Sequence, residues 1–165
     1  MTSKTRLAIG ACALSASGLI GILWYEGYSE TAYIPVPGDV PTIGWGTTEG
    51  VKLGDTITPE KAIERAYRDI QKTESAIHKC VHVPLSQGEN DAYTSLAYNI
   101  GTSAFCNSTL VKKLNARDYE GACEEILRWN KQKRVINGKT QYVEVKGLTL
   151  RREAEYKMCI GEVAE

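Results

Sequence analysis

Between Leu7 and Tyr25 the chain reads LAIGACALSASGLIGILWY, nineteen residues without a formal charge, and Glu26 and Gly27 close the run. No other feature restricts the fold as much. As a helix the run spans roughly 28 Å, close to the hydrocarbon thickness of about 30 Å. Lys4 and Arg6 precede it, the arrangement that keeps an N-terminus in the cytoplasm while the rest is exported. Yet Gly10, Gly18, Gly21, Ser15 and Ser17 interrupt the Leu and Ile content, so lipid gains little from the segment and insertion is marginal. Three readings follow: a cleaved signal peptide, with Ser15 and Ser17 at a cleavage-like spacing; a permanent anchor; or an uncleaved, weakly held anchor that later leaves the bilayer. All three put the body outside the cytoplasm.

The cysteines agree with export. There are five, Cys12, Cys80, Cys106, Cys123 and Cys159. An oxidising compartment favours disulfides, and an odd count leaves one over. Cys12 is the natural orphan because it lies in the apolar run. The other four allow three connectivities. We prefer Cys80 with Cys106 and Cys123 with Cys159, since each pair would staple the ends of a helical hairpin. The chain has 165 residues and net charge +0, which suits one domain with an N-terminal appendage and gives nucleic acid no global attraction. No nucleic-acid partner is expected. Lys131 to Arg152 departs from this balance, with seven basic residues against Glu144. That is either a solvated face or a surface for an anionic polymer.

The body reads as mostly helical with one small sheet, an α+β chain. Tyr33 to Thr48 is rich in Pro, Gly and Thr and forms a strand-and-turn unit. Thr58-Pro59-Glu60 starts a helix, with Ile63, Ala66, Tyr67, Ile70 and Ile77 at helical spacing. Ser86-Gln87-Gly88-Glu89 is a capping box opening a helix that buries Ala92, Tyr93, Leu96 and Ala97. Ser108 to Leu114 is a short helix, and Asp118 caps another with Ala122, Cys123, Ile126 and Trp129 inward. Asn137-Gly138 signals a hairpin. A last helix runs from about Thr149 to Gly161. His78, Cys80 and His82 lack a fourth ligand, so no metal and no cofactor are expected.

Chemistry concentrates just after the apolar run. Glu26 and Asp39 flank a turn-rich stretch that ends in Thr42-Ile43-Gly44-Trp45-Gly46-Thr47. Cleaving a glycosidic bond needs a proton for the leaving oxygen and an acceptor across the ring. An acid at the end of an apolar segment is desolvated, which favours the proton-donating form. A carboxylate in a Gly/Pro turn stays hydrated and ionised.

The segment YEGYSETAYIPVPGDVPTIGWGTT resembles the catalytic region of the phage-type lysozymes, the muramidase endolysins of glycoside hydrolase family 24. So do DAYTSLAYNIGTSAFCNSTLVKKLNARDYEGA (residues 91–122), Arg128-Trp129 and Gly147 to Glu153. The resemblance runs from residue 24 to about 160. It implies a lysozyme-like fold for residues 26–165, with residues 1–25 as a signal-anchor segment. It implies hydrolysis of the β-1,4 bonds between N-acetylmuramic acid and N-acetylglucosamine in peptidoglycan, ending in host lysis. The implied roles are Glu26 as general acid and Thr42 as the residue that positions water. Pro35 stands where the family places an Asp, and the loop to Thr42 is one residue longer, so the Asp role passes to Asp39. The family also sets an arginine of the last helix against the acid, and Arg151 is the better match of Arg151 and Arg152.

Some endolysins of this kind use signal-arrest-release. An anchor over residues 7–25 in the host inner membrane would hold Glu26 away from Asp39 and Thr42, on the periplasmic face, until the segment leaves the bilayer. Cys12 is then a candidate redox switch, able to attack a body disulfide. The expected partners are peptidoglycan strands and that membrane, and the expected state is a monomer. Two other activities are compatible with the residues: a catalytically impaired, membrane-anchored peptidoglycan-binding module, and a lytic transglycosylase.

Overall fold

The computed structural model describes residues 4–136 and 138–162. The elements are α1 (Ala16–Glu26), β1 (Ser29–Tyr33), β2 (Thr42–Gly44), α2 (Pro59–Cys80), α3 (Gln87–Ile100), α4 (Thr102–Cys106), α5 (Thr109–Asn115), α6 (Tyr119–Glu125), a 3-10 turn (Ile126–Arg128), β3 (Lys131–Ile136), β4 (Lys139–Glu144) and α7 (Lys146–Ile160). Among the described residues the architecture is mostly helical with two separate two-stranded sheets; the α+β class is as expected, with two small sheets in place of one. The chain divides into two units, residues 16–72 and residues 1–15 with 73–165.

The larger unit is built on α3. Ser86 caps it: its Oγ accepts the Glu89 N–H at 3.3 Å, and Glu89 Oε2 accepts the Ser86 N–H at 2.8 Å. The capping box is thus complete. Ala92, Tyr93, Leu96 and Ala97 are buried as expected, beside Phe105, Leu110, Leu114, Ala122 and Ile126. Ser108 and Asp118 cap α5 and α6 through the Val111 and Gly121 N–H groups. Disulfides join Cys80 to Cys106 and Cys123 to Cys159, the preferred pairing. With Cys80 so bonded, no thiolate remains between His78 and His82 for a metal. On α2 the buried stripe is Ala62, Ala66, Ile70 and Ile77, whereas Ile63 and Tyr67 of the expected stripe are exposed. In the first half of the helix Ala62 and Ala66, rather than Ile63 and Tyr67, face inward. Hairpin β3–β4 forms with Lys131 opposite Glu144 and Ile136 opposite Lys139. Asn137 of the expected turn lies outside the described residues.

The apolar run is not one helix in this fold. Only its second part is helical, from Ala16, and no described helix is long and apolar enough to cross a membrane. Residues 4–15 instead form a strap on the larger unit. Leu7 and Leu85 exchange backbone hydrogen bonds at 2.8 and 2.9 Å. Gly10 turns the chain at φ +83°, a conformation open to glycine. The Ser15 N–H donates to Asp91 Oδ1 at 3.0 Å, and the Ser15 hydroxyl donates to Asp91 Oδ2. Polar groups that a membrane helix would satisfy internally are here satisfied by the body.

The smaller unit packs β1 and β2 on the start of α2. Ser29 pairs with Gly44 and Tyr33 with Thr42, with an irregularity between them. Ala32, Ile43, Val51, Ile57 and Ala62 form its core, with Trp45 against it. Ile43 and Thr47 exchange backbone hydrogen bonds at 2.9 and 3.1 Å around Gly44-Trp45-Gly46. Gly44 has φ +63°, and a Cβ there would lie 2.9 Å from Ala62 Cβ. Both the conformation and the close approach require glycine.

Two predictions test this packing. Gly44→Ala should destabilise the protein by about 2 kcal/mol or more, read by urea unfolding, because αL strain of ~1–2 kcal/mol adds to the clash. The second concerns Glu125, which accepts from Lys113 at 2.9 Å and from Arg128 at 3.0 Å. The Lys113 hydrogen bond, then Arg128, holds its carboxyl below the ordinary value of 4.5. A depressed carboxyl contributes stability above its unfolded value and loses it as pH falls through the folded one. Glu125→Gln should therefore cost roughly 1 kcal/mol at neutral pH. Its melting temperature should converge with wild type in acid, below the depressed value.

Candidate active site

Glu26 is the last residue of α1. The helix stops there because Gly27 takes φ +68° and donates its N–H to Leu23 O at 3.2 Å, a glycine C-cap. Glu26 is half-buried. It stands at the negative end of the helix dipole, an arrangement that stability alone does not favour for a carboxylate. Gly18, Ile22 and Glu26 recur every four residues and share one face of α1, and Gly18 and Ile22 are the helix's buried residues. The acid therefore continues the inward stripe.

The opposite face is apolar and open. Ile20 is 65% exposed and Trp24 83%. With Leu23, Gly27, Tyr28 and Trp45 they line a groove of about 350 Å³. The Tyr28 and Trp45 rings lie 4.9 Å apart at 45°, and the Tyr28 hydroxyl donates to Ile57 O at 2.7 Å. A surface helix of a globular domain ordinarily turns its apolar residues to the core; α1 buries Ile22 but leaves Ile20 and Trp24 open.

Asp39 and Thr42 flank one turn. The Asp39 N–H donates to Val36 O, and Asp39 Oδ1 accepts the Val40 N–H, both at 2.9 Å. Asp39 is exposed, as are Pro35 and the rest of the loop from Ile34 to Val40. Thr42 opens β2, is buried, and donates its hydroxyl to Val40 O at 3.2 Å. Both candidates are thus held through Val40. Thr47, at the far end of the glycine turn, is buried and donates to Asp69 Oδ2 at 3.0 Å. It ties the turn to α2.

Arg151 belongs to the larger unit. Its guanidinium is buried, with Nε 3.2 Å from Glu155 Oε1 and Nη2 3.4 Å from Ser95 O. Arg152 is fully buried, with Nε 2.9 Å from Glu155 Oε2 and Nη2 3.1 Å from Asn99 Oδ1. Glu155 also accepts from Ser95 Oγ at 2.6 Å. Burial pushes the Glu155 carboxyl up, against the pull of Arg152, Ser95 and Arg151. The sequence reading missed this acid, although the i, i+4 and i, i+3 spacing within Arg151-Arg152-Glu153-Ala154-Glu155 was the signal for it.

Cys12 is a buried free thiol whose Sγ lies 3.6 Å from Leu85 O. Burial, then Asp91, Glu74 and Glu89, push that thiol up. A protonated, covered thiol is a poor nucleophile.

Similarity to known proteins agrees with this arrangement. The model of the family described as phage lysozyme matches residues 24–155. An endolysin of Acyrthosiphon pisum secondary endosymbiont phage 1 is 42% identical over 142 residues, covering 86% of this chain and 94% of that protein. A SAR-endolysin of Pseudomonas phage phiKMV is 40% identical over 148 residues, covering 90% and 89%. Among solved structures, an endolysin from Escherichia coli O157:H7 phage FAHEc1 superposes with a TM-score of 0.80 at 36% identity, covering 94% of this chain and 98% of its own. On sequence and fold together, the chain belongs to the phage lysozyme family.

Proposed function

We propose that the protein is an endolysin that hydrolyses the β-1,4 bonds between N-acetylmuramic acid and N-acetylglucosamine in bacterial peptidoglycan, and so lyses the host. The observation that carries this reading is the family match, which begins two residues before Glu26 and takes in the whole stretch to Thr42. Glu26 acts as general acid: it gives its proton to the glycosidic oxygen as the bond to the anomeric carbon breaks. A water attacks that carbon, and its proton passes to a base. Asp39 is that base, kept hydrated by its exposure and oriented by the Val40 N–H. Thr42 positions the water. Pro35, in the usual Asp place, has no acid–base group, which is why the role moves along the loop. Arg151 is kept as the arginine that the family resemblance assigns to support the acid; in its own unit it is held by Glu155 and Ser95.

The exposure of Asp39 favours one second reading, a lytic transglycosylase, in which a sugar hydroxyl replaces water and no base for water is needed. Reducing-end release from purified peptidoglycan separates the two. Glu26→Gln should lower the rate by about 10²–10⁴-fold, the usual size of a general-acid contribution. Asp39→Asn should do the same for a hydrolase; a transglycosylase frees no reducing ends, and its anhydro-ended products should form at a rate that Asp39→Asn leaves near wild type.

Export and release complete the proposal. Residues 7–25 first lie in the inner membrane with the body in the periplasm, and leave it later. Two observations support this. The outward face of α1 is lined by Ile20, Leu23 and Trp24, side chains at home in lipid and not needed for the core. And residues 4–15 have a ready seat on the larger unit, where Arg6 binds Glu89 at 2.7 and 2.9 Å and stacks 3.6 Å over the Tyr119 ring. Cys12 is covered in this seated state, so a thiol exchange would have to precede docking. A Cβ at Gly21 would meet nothing within 4 Å, so Gly21→Leu makes the run more apolar without a clash at Cβ. That variant should stay in the membrane fraction and delay lysis. Timely lysis with Gly21→Leu would exclude topological release.

A further inference from the structure

Hairpin β3–β4 has no part in the chemistry above. It projects Lys131, Lys133, Arg134 and Lys139 against one acid, Glu144, in a chain of net charge +0. Register decides how these charges are used. Glu144 stands opposite Lys131 at the base of the ribbon, leaving Lys133, Arg134 and Lys139 toward the tip without an acid beside them. Among the described residues none of these three has an ion-pair partner. Elsewhere on the same unit, Lys113, Arg128, Arg6, Arg151 and Arg152 are all paired. Apart from half-buried Val143, every side chain described in the two strands is exposed. A two-stranded ribbon that buries nothing is marginal in water, so packing does not explain it.

The faces are informative too. Lys133 lies opposite Tyr142 and Val135 opposite Thr140, which share one face; Arg134 lies opposite Gln141 on the other, together with Lys139. Tyr142 and Val135 are each 71% exposed. Cations on both faces do not suit a flat lipid surface, which would draw them to one side. They suit a polymer that carries anions all around it. The peptidoglycan strand is such a polymer, because its peptide stems bear free carboxylates.

We infer that the β3–β4 hairpin is a substrate-recognition element that binds the carboxylates of peptidoglycan stem peptides through Lys133, Arg134 and Lys139. The inference rests on the peptidoglycan reading above but not on the catalytic roles. It makes the enzyme's affinity for the wall depend on peptide charge while bond cleavage depends on the sugar. Exposed ion pairs are individually weak and screened by salt, so the three cations act together.

The test compares the full-length oxidised protein with a Lys133→Gln, Arg134→Gln, Lys139→Gln triple variant. Binding is read by sedimentation in the cold with native sacculi, with sacculi whose carboxyls have been amidated, and with phosphatidylglycerol/phosphatidylethanolamine vesicles. Reducing-end release is read on native sacculi and on glycan stripped of peptides. The triple variant should bind native sacculi roughly tenfold more weakly and with a smaller salt dependence. Wild type should lose the same factor on amidated sacculi. Rates on stripped glycan should match between the two proteins. Equal binding of native sacculi by both proteins overturns the inference. So does undiminished binding of amidated sacculi, or a loss confined to the vesicles, which would assign the hairpin to lipid. A wild type that binds sacculi through the hairpin but releases no ends supports the inference and overturns the hydrolase reading instead.

Discussion

The larger unit depends on one carboxylate with no access to water. Glu89 is fully buried. It accepts the Ser86 N–H at the start of α3 and the Arg6 guanidinium from the N-terminal strap. Removing the partner of a buried charge costs about 3–5 kcal/mol, because the charge is left uncompensated. Glu89 therefore starts the core helix and requires the strap at the same time. The helix it starts carries Tyr93 and Leu96, on which the core cluster is assembled. Arg6 also lies on the Tyr119 ring of α6, so the same contact reaches a third element.

That demand gives the apolar run a structural role. A stretch that is long enough to enter a bilayer ends, in the folded enzyme, as a strap and a short helix. The strap is bound by polar groups: Arg6, Ser15 and the backbone of Leu7. The helix buries Gly18 and Ile22 and turns Ile20 and Trp24 outward. The glycine and serine content of the strap then has a physical sense: Gly10 turns the chain and Ser15 binds Asp91, which larger apolar residues could not do.

Much of this was readable along the chain. Caps are local, since a Ser, Thr or Asp beside three open N–H groups needs no tertiary contact to act; Ser86, Ser108 and Asp118 were legible for that reason. The stripe of α3 was legible because all its large apolar residues face one way. The stripe of α2 was legible in part: Ala66, Ile70 and Ile77 are buried as expected, but Ala62, close against the glycine turn at Gly44, faces inward while Ile63 and Tyr67 are exposed. Glu155 was overlooked because its partners are adjacent in a run of charges that, in isolation, reads as solvated surface.

What the amino-acid sequence determined by itself was the α+β class, the family, the disulfide preference, and the placing of Glu26 directly after a membrane-length run. These follow from short-range caps, from spacing and from motif identity, none of which needs the chain to meet itself. Only the tertiary structure decided that the run breaks at Gly10 and Ser15, that Arg151 and Arg152 share one buried acid, and that the cations beyond Lys131 stand on both faces of an uncovered ribbon. Each of those depends on which distant group arrives to satisfy a buried charge or an open backbone group, and that is settled by packing.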